Sequence, residues 1–338
     1  MDDALWQLRR AVRRSLADVE PGSSLLVGLS GGPDSLALAA ATVAESPGPA
    51  WRVTGVVVDH RLQAGSSAVA NDAAAQGLAL GLTEVEVVPV DVTPDGAGRE
   101  AAARAARYSA LSDAATRLGS VAVLLGHTLD DQAETVLLGL ARGSGARSLA
   151  GMPPRRGAFR RPLLGVRRAL THQVCRDLGL TPWQDPHNDD PAFTRVRVRS
   201  GALPALQAAL GERVVESLAR TAERLREDDE ALTQWASVAL VETQTGVGVG
   251  FDVERLAGLP TAVRRRVLRL AALRADVPPG SLTTTHLLAV DALVVAWHGQ
   301  GAVSLPGGVR AVRRCGRLSL VGDPACEQGE QAQTHDGP

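Results

Sequence analysis

The hexapeptide Ser-Gly-Gly-Pro-Asp-Ser at residues 30–35 restricts the fold of this chain more than any other stretch. It follows the apolar run 25–29 and precedes the Ala- and Leu-rich run 36–41. The first run predicts a buried strand, and the second predicts a helix. A Gly-Gly turn between a strand and a helix presents free backbone N–H groups at the positive end of the helix dipole, where phosphate commonly binds. We therefore expect a strand–loop–helix unit whose loop binds an anion.

Asp34 narrows the kind of anion site, because a carboxylate repels a phosphate unless a cation lies between them. Mg²⁺ is the natural candidate for that cation. A plain strand–turn–helix corner with a serine cap is the alternative interpretation of an isolated Ser-Gly-Gly turn. The hexapeptide matches the SGGxDS loop of ATP-dependent enzymes that cleave between the α and β phosphates. The predicted ATP-binding residues of this loop are Ser30, Gly31, Gly32, Pro33, Asp34 and Ser35.

The basic residues of the chain exclude several kinds of chemistry. All 36 of them are arginine, and the chain contains no lysine. A Walker A loop requires a lysine on the β and γ phosphates, and Schiff-base catalysis requires a lysine nucleophile, so both are excluded. The formal net charge is only −1, which predicts no general affinity for nucleic acids. Any contact with RNA must therefore depend on local arginine patches.

The cysteines and the N-terminal segment indicate the compartment. Cys175, Cys315 and Cys326 are widely spaced, which argues against a zinc ribbon, an iron–sulfur site or a redox pair within the chain. The first residues form an arginine-bearing amphipathic pattern rather than a secretory signal, and no apolar run approaches the roughly 18 residues of a membrane span. The sequence predicts a cytoplasmic protein with reduced thiols and no membrane partner. It does not set the oligomeric state, and a homodimer stays open.

The first half of the chain alternates short Val- and Leu-rich runs with Ala-rich helical segments. This alternation predicts βαβ units in an α/β fold with a doubly wound, mostly parallel sheet. The later residues differ and predict a second, mainly helical C-terminal domain that ends in a small β-hairpin. The predicted boundaries are a catalytic domain at 1–203, a helical appended domain with the terminal hairpin at 204–322, and a disordered tail at 323–338.

Polar side chains follow the second and the fourth predicted strand, where ligands of parallel sheets bind. Asp59 ends the second strand, and His127 ends the fourth. Asp131 and Glu134 follow at the start of a helix and share one face because they are three residues apart. Helix capping is the alternative for these acidic residues. With Asp34 across the sheet, they could hold Mg²⁺ or a substrate ammonium, and we predict Asp34 and Asp131 as the metal ligands.

Two groups of arginines are further candidates. Arg104 and Arg107 share a face of a predicted helix, whatever their role. Arg195, Arg197 and Arg199 alternate, and this spacing predicts a strand edge or an irregular segment. Such a line of arginines suits the phosphates of ATP or of RNA.

The motifs together resemble the tRNA(Ile)-lysidine synthase family of PP-loop ATP pyrophosphatases. They occur in the order SGGPDS (30–35), VDHRL (58–62), AARAARY (102–108), HTLDDQAET (127–135), RGSG (142–145), LAGM (149–152), RPLL (161–164) and DPHNDDPAFTRVRVR (185–199). The C-terminal helices and LPGG (305–308) are similar to the appended domain of that family. Two positions depart from the family pattern, with Val196 in place of the usual Asn and His187 in place of the usual Ser.

This resemblance implies the adenine nucleotide α-hydrolase-like fold and a reaction in two steps. ATP adenylates C2 of the wobble cytidine in the CAU anticodon of tRNA(Ile), with loss of pyrophosphate. The ε-amine of free L-lysine then displaces AMP, and the lysidine product reads the codon AUA and directs charging with isoleucine.

The resemblance also implies a role for each candidate residue. The 30–35 loop would bind the ATP phosphates, with Asp59 and Arg104 as further nucleotide contacts, and Asp34 would help to hold Mg²⁺. Asp131 and Glu134 would receive the amines of lysine, and Arg195 would receive its carboxylate. The implied catalytic residues are Asp34, Arg107, His127, Asp131 and Glu134.

Two other functions remain as alternatives. A tRNA base thiolase of the same loop family activates a base in the same way but delivers sulfur, usually with paired cysteines or an iron–sulfur cluster. A non-catalytic regulator that binds an adenine nucleotide could share the fold, but it would not require the carboxylates at 131 and 134.

Overall fold

The computed structural model describes residues 3–46, 51–61, 63, 65–92, 99–143, 145–185, 190–245 and 250–322. The chain forms two compact units, Met1–Arg226 and Glu227–Pro338. The domain boundary at residue 203 stays a prediction, and the predicted tail and His187 lie outside the described residues. No helix in the described ranges is both long and apolar enough to cross a membrane.

The first unit alternates strands and helices, as its hydrophobic runs predict. Its first elements are α1 (Asp3–Ser15), β1 (Ser23–Leu29), α2 (Pro33–Glu45), β2 (Trp51–Asp59), α3 (Ser66–Ala79), β3 (Glu84–Pro89), α4 (Arg99–Arg117), β4 (Ser120–Leu124) and α5 (Leu129–Ala141). They are followed by α6 (Ala146–Leu149), β5 (Arg155–Arg156), β6 (Phe159–Arg160), a 3₁₀ turn (Pro162–Gly165), α7 (Arg168–Asp177), α8 (Thr194–Arg197), a π-helical turn (Val198–Ala202) and α9 (Leu203–Leu210).

The sheet of the first unit has the strand order β3-β2-β1-β4-β6-β5. Strand β1 pairs in parallel with β2 on one side and with β4 on the other, and only β5 runs antiparallel to its neighbour. The chain therefore leaves β1 in one direction and returns to its other side at β4. Ligands of such sheets bind at this reversal of strand order, beyond the carboxyl ends of the strands. The loops that follow β1 and β4 lie at this place.

Helices cover both faces of this sheet, which explains why successive residues in the middle of its central strands are apolar. Leu25 and Val27 of β1 pack in one core with α1, α2 and α7. Leu26, between them, packs in a second core with Leu111 of α4. Each fully buried leucine of this kind contributes about 2 kcal/mol of transfer free energy.

The second unit is helical and ends in an antiparallel sheet. Helix α10 (Val214–Thr243) contains the division between the units and is followed by β7 (Gly250–Asp252), α11 (Val253–Gly258), α12 (Thr261–Arg274), α13 (Thr284–Val295), β8 (Val303–Leu305), β9 (Val309–Arg314) and β10 (Arg317–Gly322). The predicted terminal hairpin is confirmed and belongs to a four-stranded sheet with the order β7-β10-β9-β8. The two-residue turn between β9 and β10 has φ values of +47° at Cys315 and +72° at Gly316. Two left-handed residues match the twist of a tight hairpin.

Candidate active site

The loop after β1 is a tight turn held by its own serines. Gly31 has a φ of +76°, a left-handed conformation that favours glycine. The Ser35 hydroxyl donates to the carbonyl of Gly32 at 2.9 Å and accepts from the N–H of Ser30 at 3.1 Å. Gly32 is the N-cap of α2 and has no side chain to occupy the first N–H groups of the helix. The predicted anion loop is therefore formed at the N-terminus of α2.

Gly126, directly after β4, allows the second loop to approach the first. A Cβ atom at this residue would lie 2.8 Å from the carbonyl oxygen of Asp34 and 3.0 Å from the backbone nitrogen of Ser35. Any side chain here would force the start of α2 away. The close approach brings the helix start at Thr128 beside Asp34.

Asp131 caps helix α5 with one carboxylate oxygen and contacts Arg168 with the other, so the capping interpretation is confirmed and its role as a ligand of Mg²⁺ or of an amine stays a prediction. Its Oδ2 accepts from the N–H and from the hydroxyl of Thr128, both at 2.8 Å, which completes a capping box. Its Oδ1 accepts from Nη2 of Arg168 at 2.7 Å. One oxygen thus fixes the helix, and the other belongs to the site.

Arg168, the first residue of α7, joins the three predicted carboxylates. Its Nη2 contacts Asp131 at 2.7 Å, its Nη1 contacts Glu134 at 3.1 Å, and its Nε lies 3.4 Å from Asp34. Thr171, one turn further along α7, donates its hydroxyl to Asp34. Helix α7 therefore links the loop after β1 to helix α5. No sequence motif in the chain singles out Arg168.

Glu134 is fully buried and is surrounded by arginines. Besides Arg168, it pairs with Arg195 at 3.2 Å and with Arg199 at 2.8 Å. The prediction of a strand edge or an irregular segment for the alternating arginines is wrong, because α8 and the π-helical turn cover them. Residues four apart share a helix face, so Arg195 and Arg199 reach Glu134 together. Arg197 turns away to the carbonyl of Pro191 at 2.6 Å.

The surroundings of Asp34 and Asp131 shift their pKa values in opposite directions. Burial raises the pKa of Asp34 to about 6, with a further contribution from the nearby charge of Asp131. Burial also acts on Asp131, but Arg168 and the Thr128 hydrogen bonds outweigh it and hold the pKa of Asp131 below its ordinary value. Asp34 therefore gains most from an added cation.

His127 lies at the end of β4 within reach of the charges of Asp131 and Arg195. Burial, helped by nearby arginines, lowers its pKa to about 3. Its Nδ1 is buried and has no hydrogen-bond partner in the part of the chain that the structure describes. The imidazole is thus neutral at physiological pH, with one ring nitrogen unsatisfied.

Helix α4 supplies the predicted arginines through a separate set of contacts. Arg104 stacks on Tyr108, with its guanidinium carbon 5.2 Å from the ring centroid. Arg107 donates from Nε to Nε2 of His60 at 3.3 Å, and His60 follows β2. Neither arginine forms an ion pair with the carboxylates among the described residues. The structure places Arg104 and Arg107 at the sheet edge that carries the site, beside rather than inside the carboxylate cluster.

Asp59 ends β2 as predicted, but its own loop uses both of its oxygens. Oδ1 accepts from the N–H of Arg61 at 2.9 Å, and Oδ2 accepts from the hydroxyl of Ser67 at 2.8 Å. The contact of Asp59 with ATP stays a prediction.

The segment 142–162 is anchored to the site by helix α5. The side-chain amide of Gln132 accepts from the N–H of Met152 at 2.7 Å and donates to its carbonyl at 2.9 Å. Arg160 and Arg161 at the end of the segment are buried, and Arg160 pairs with Asp18. These two arginines hold the fold together rather than extend into solvent. Neither the two-residue strands β5 and β6 nor these pairs carry a periodic signal in the sequence.

The donor set suits a Mg²⁺ ion that is shared with phosphates. Mg²⁺ is usually held by one or two carboxylates together with substrate phosphates. Asp34 and Asp131 contact neighbouring nitrogens of Arg168, next to the loop for phosphates. The described residues contain no group of three or more His, Cys, Asp or Glu that could hold a metal ion alone. The site thus fits a metal that arrives with the nucleotide.

Comparisons with known proteins agree with this geometry. Residues 6–206 match the family model described as PP-loop domain, which is the class that the loop after β1 and the site at the strand reversal define. Residues 251–319 match the model described as TilS substrate binding domain. A solved structure, the U34-tRNA thiolase NcsA from Methanococcus maripaludis with its 4Fe-4S cluster, is similar with a TM-score of 0.55 at 20% identity, over 66% of this chain and 80% of that chain. This likeness shows the fold alone.

Curated relatives are similar over nearly the whole chain. The tRNA(Ile)-lysidine synthase of Rhodococcus erythropolis (strain PR4) is 54% identical over 322 residues, which cover 94% of this chain and 95% of the relative. That of Thermobifida fusca (strain YX) is 52% identical over 317 residues, which cover 94% and 97%. The chain therefore belongs to the tRNA(Ile)-lysidine synthase family.

Proposed function

We propose that this chain is the ligase that adds L-lysine to C2 of the wobble cytidine in the CAU anticodon of tRNA(Ile), with conversion of ATP to AMP and pyrophosphate. The observation that carries this proposal is the cluster of Asp34, Asp131 and Glu134 around Arg168, which lies directly beside the phosphate loop. A loop for pyrophosphate and a place for an amine thus face each other. The relatives with the same motifs bear the name of this activity.

The first step, adenylation of the base, uses the loop after β1. The backbone N–H groups at the start of α2 bind the phosphates, and the serine hydroxyls hold the loop in shape. Asp34 and Asp131 would hold Mg²⁺, which neutralises the charge of the departing pyrophosphate. Arg104 and Arg107 would face the nucleotide or the activated base from α4.

The second step, attack by lysine, uses the carboxylates of helix α5. Three carboxylates and three arginines cancel in formal charge. A lysine with two ammonium groups and one carboxylate adds a formal charge of only +1 to such a cluster, and each of its charged groups finds a group of opposite charge there. In this assignment Asp131 and Glu134 receive the amines, and Arg195 receives the carboxylate.

His127 has a narrower role than a proton acceptor. A pKa of about 3 makes its imidazole a weak base, so we assign it a neutral hydrogen bond at the reacting centre. Its unsatisfied Nδ1 is the atom for this bond.

ATP, Mg²⁺, free L-lysine and tRNA(Ile) are the proposed ligands, and the cytoplasm is the proposed location. A homodimer stays a prediction, and light scattering on the purified chain measures it.

The test incubates the purified protein with ATP, Mg²⁺, labelled lysine and a CAU-anticodon tRNA(Ile) transcript. We expect label in the RNA together with AMP and pyrophosphate. Asp34→Ala should abolish pyrophosphate release, because the metal site is lost. Glu134→Ala should reduce lysine transfer more than adenylation. No label in RNA, or ADP in place of AMP, would refute the proposal, and equal loss of both steps in Glu134→Ala would refute the role of Glu134.

The thiolase alternative predicts the opposite outcome of the same assay, with sulfur rather than lysine in the RNA. Cys175 is buried against the carbonyl of Pro33 at 3.3 Å, and burial raises its pKa to about 11, so its thiol is a poor sulfur carrier.

A further inference from the structure

Helix α1 carries four arginines that fall into two pairs with different surroundings. Arg9 and Arg13 both contact Glu45 of α2, at 3.2 Å and 2.5 Å. Arg10 and Arg14 are exposed, and within the described residues they form no ion pair with an acid. The two pairs are offset by one residue, so they lie on different faces of one helix. Glu45 offsets part of the charge of the first pair, and the second pair presents two charges to solvent without an acidic partner among the described residues.

Arg10 and Arg14 line a groove of about 550 Å³ between α1 and α7. Trp6, one turn before Arg10, also lines it and is 49% exposed. The Arg10 guanidinium lies over the indole ring at 5.7 Å from its centroid. Trp6, Arg10 and Arg14 follow one another at intervals of four residues, so they lie along one face of α1.

The remaining charges of the groove do not offset these arginines. Within the described part of the chain, Asp3 is the only acidic residue that lines the groove, and it accepts a hydrogen bond from Gln7 at 3.0 Å. Arg167 lies on the opposite wall, with its own charge met by Asp130 at 3.3 Å and Glu216 at 2.7 Å. The groove is therefore positive.

We propose that this groove binds the sugar–phosphate backbone of the substrate tRNA, with a nucleotide base or ribose against Trp6. Two unpaired arginines one helical turn apart fit an anionic polymer best. The turn rises about 6 Å, which is close to the distance between successive phosphates of a nucleic-acid strand. The aromatic ring favours RNA over an acidic polypeptide, because bases stack on aromatic side chains and glutamates do not. The inference rests on the proposed function for the identity of the RNA.

The groove and the active site lie on two sides of α7. Thr171 and Cys175 of α7 face Asp34 and Pro33, whereas Leu170 and Gln173 face the groove. Arg167 lines the groove, and the next residue, Arg168, joins the catalytic carboxylates. RNA bound in the groove would thus contact the helix that holds the site without entering the site.

The test compares two double variants with the same loss of charge on the same helix. Arg10→Gln/Arg14→Gln removes the unpaired arginines, and Arg9→Gln/Arg13→Gln is the matched control. Binding of a tRNA(Ile) transcript is measured by filter binding from 50 to 300 mM salt. We expect the first variant to raise the Kd about tenfold or more and to reduce the slope of log K against log salt by about 1.5, because two phosphate contacts are lost. The control should stay within about twofold of wild type in this assay.

Equal effects of the two double variants would overturn the proposal, because they would reflect net charge alone. An unchanged Kd in Arg10→Gln/Arg14→Gln would overturn it as well. Trp6→Ala should raise the Kd for tRNA but not for polyglutamate, and equal competition by polyglutamate and tRNA would contradict an RNA site. The KM values for ATP and lysine should not change in any of these variants. Because binding is read without chemistry, a wild-type protein that binds tRNA but adds no lysine would refute the proposed function and leave the groove standing.

Discussion

Two clusters of arginine and carboxylate in this molecule look alike in composition and differ in what surrounds them. In the first unit, Arg168 joins Asp34, Asp131 and Glu134 at the edge of the sheet, with two further arginines on Glu134. In the second unit, Arg264 pairs with Asp291 at 2.6 Å, and both side chains are buried. The first cluster joins three carboxylates and three arginines beside the loop after β1, whereas the second holds one buried carboxylate, which pairs with the buried Arg264 and the half-exposed Arg265.

The sequence alone does not separate these clusters. The run Arg264–Arg266 is a candidate for contact with tRNA or a solvated helix face, and the structure supports neither for Arg264. Its guanidinium also donates to the carbonyl of Leu259 at 2.9 Å, which leaves little of it for a ligand. Arg266 pairs with Asp229 at 2.6 Å. We therefore expect an arginine of a ligand site to pair with groups whose place a ligand can take. A structural arginine such as Arg264 instead pairs with groups that are enclosed by the protein.

The largest expected effect is on catalysis in Arg168→Gln. Among the described residues Arg168 is the one group that contacts all three carboxylates, and we expect lysine incorporation to fall about 10²–10³-fold, the effect typical of removing one preorganised hydrogen-bond donor from an active site. Added Mg²⁺ or lysine should raise the Tm of the variant more than that of wild type, because each supplies the missing charge. Thermal melts with and without ligand measure this. An activity within about threefold of wild type would contradict the central place of Arg168.

An Arg-to-Gln substitution in the other cluster should reduce stability and leave catalysis unchanged. Arg264→Gln leaves Asp291 buried with only the half-exposed Arg265, and we expect a loss of about 3 kcal/mol in the free energy of unfolding. Urea denaturation measures it. The rate of adenylation per folded molecule should stay near wild type, and neither Mg²⁺ nor lysine should restore the lost stability. Rescue by either ligand would show that the second cluster is also a ligand site.

The contrast also explains how far the sequence could predict the site. The loop at 30–35 and the pair Asp131 and Glu134 are local signals, and their spacing predicts both the turn and the shared helix face. Arg168 lies 34 residues from Glu134 and beside a second arginine, so only the packing of α7 against α2 distinguishes it. Arg195 and Arg199 are visible in the sequence, but their alternation with Val indicates an extended segment, whereas the fold makes them helical. Local periodicity thus predicts elements, and tertiary contacts decide which side chains meet.

The fold shows the same limit. The strands β1 to β4 and the helices between them follow from apolar runs bounded by Gly and polar turns. The strands β5 and β6 are only two residues long, too short for any period, and Arg160 of β6 is buried against Asp18, which is distant in sequence.

A third, smaller effect is expected on the pH dependence of stability, because the pKa of Asp34 is raised and that of Asp131 is lowered. Because the pKa of Asp34 is about 6 in the folded protein and near 4 when unfolded, the folded state binds the extra proton between these values. The free energy of unfolding therefore falls as pH rises through this window. Asp34→Asn should remove this loss and stabilise the ligand-free protein by about 1–3 kcal/mol at pH 8. At pH 4 we expect no gain in stability. The same variant should not adenylate the base. Denaturation at the two pH values in Mg²⁺-free buffer measures the difference, and equal gains at both would contradict the raised pKa.

The smallest effect is expected at Arg265, and it tests whether burial or charge governs the second cluster. Arg265 contacts the same carboxylate as Arg264, at 3.1 Å, but 46% of its side chain is exposed. An exposed ion pair contributes about 0–1 kcal/mol, because water screens it. Arg265→Gln should therefore lower the free energy of unfolding by less than about 1 kcal/mol, and 0.5 M NaCl should remove most of that loss, whereas the loss in Arg264→Gln should persist in salt. A comparable loss in both variants would mean that the two arginines share the charge of Asp291 equally, and the distinction between a closed pair and an open cluster would then need to rest on the first unit alone.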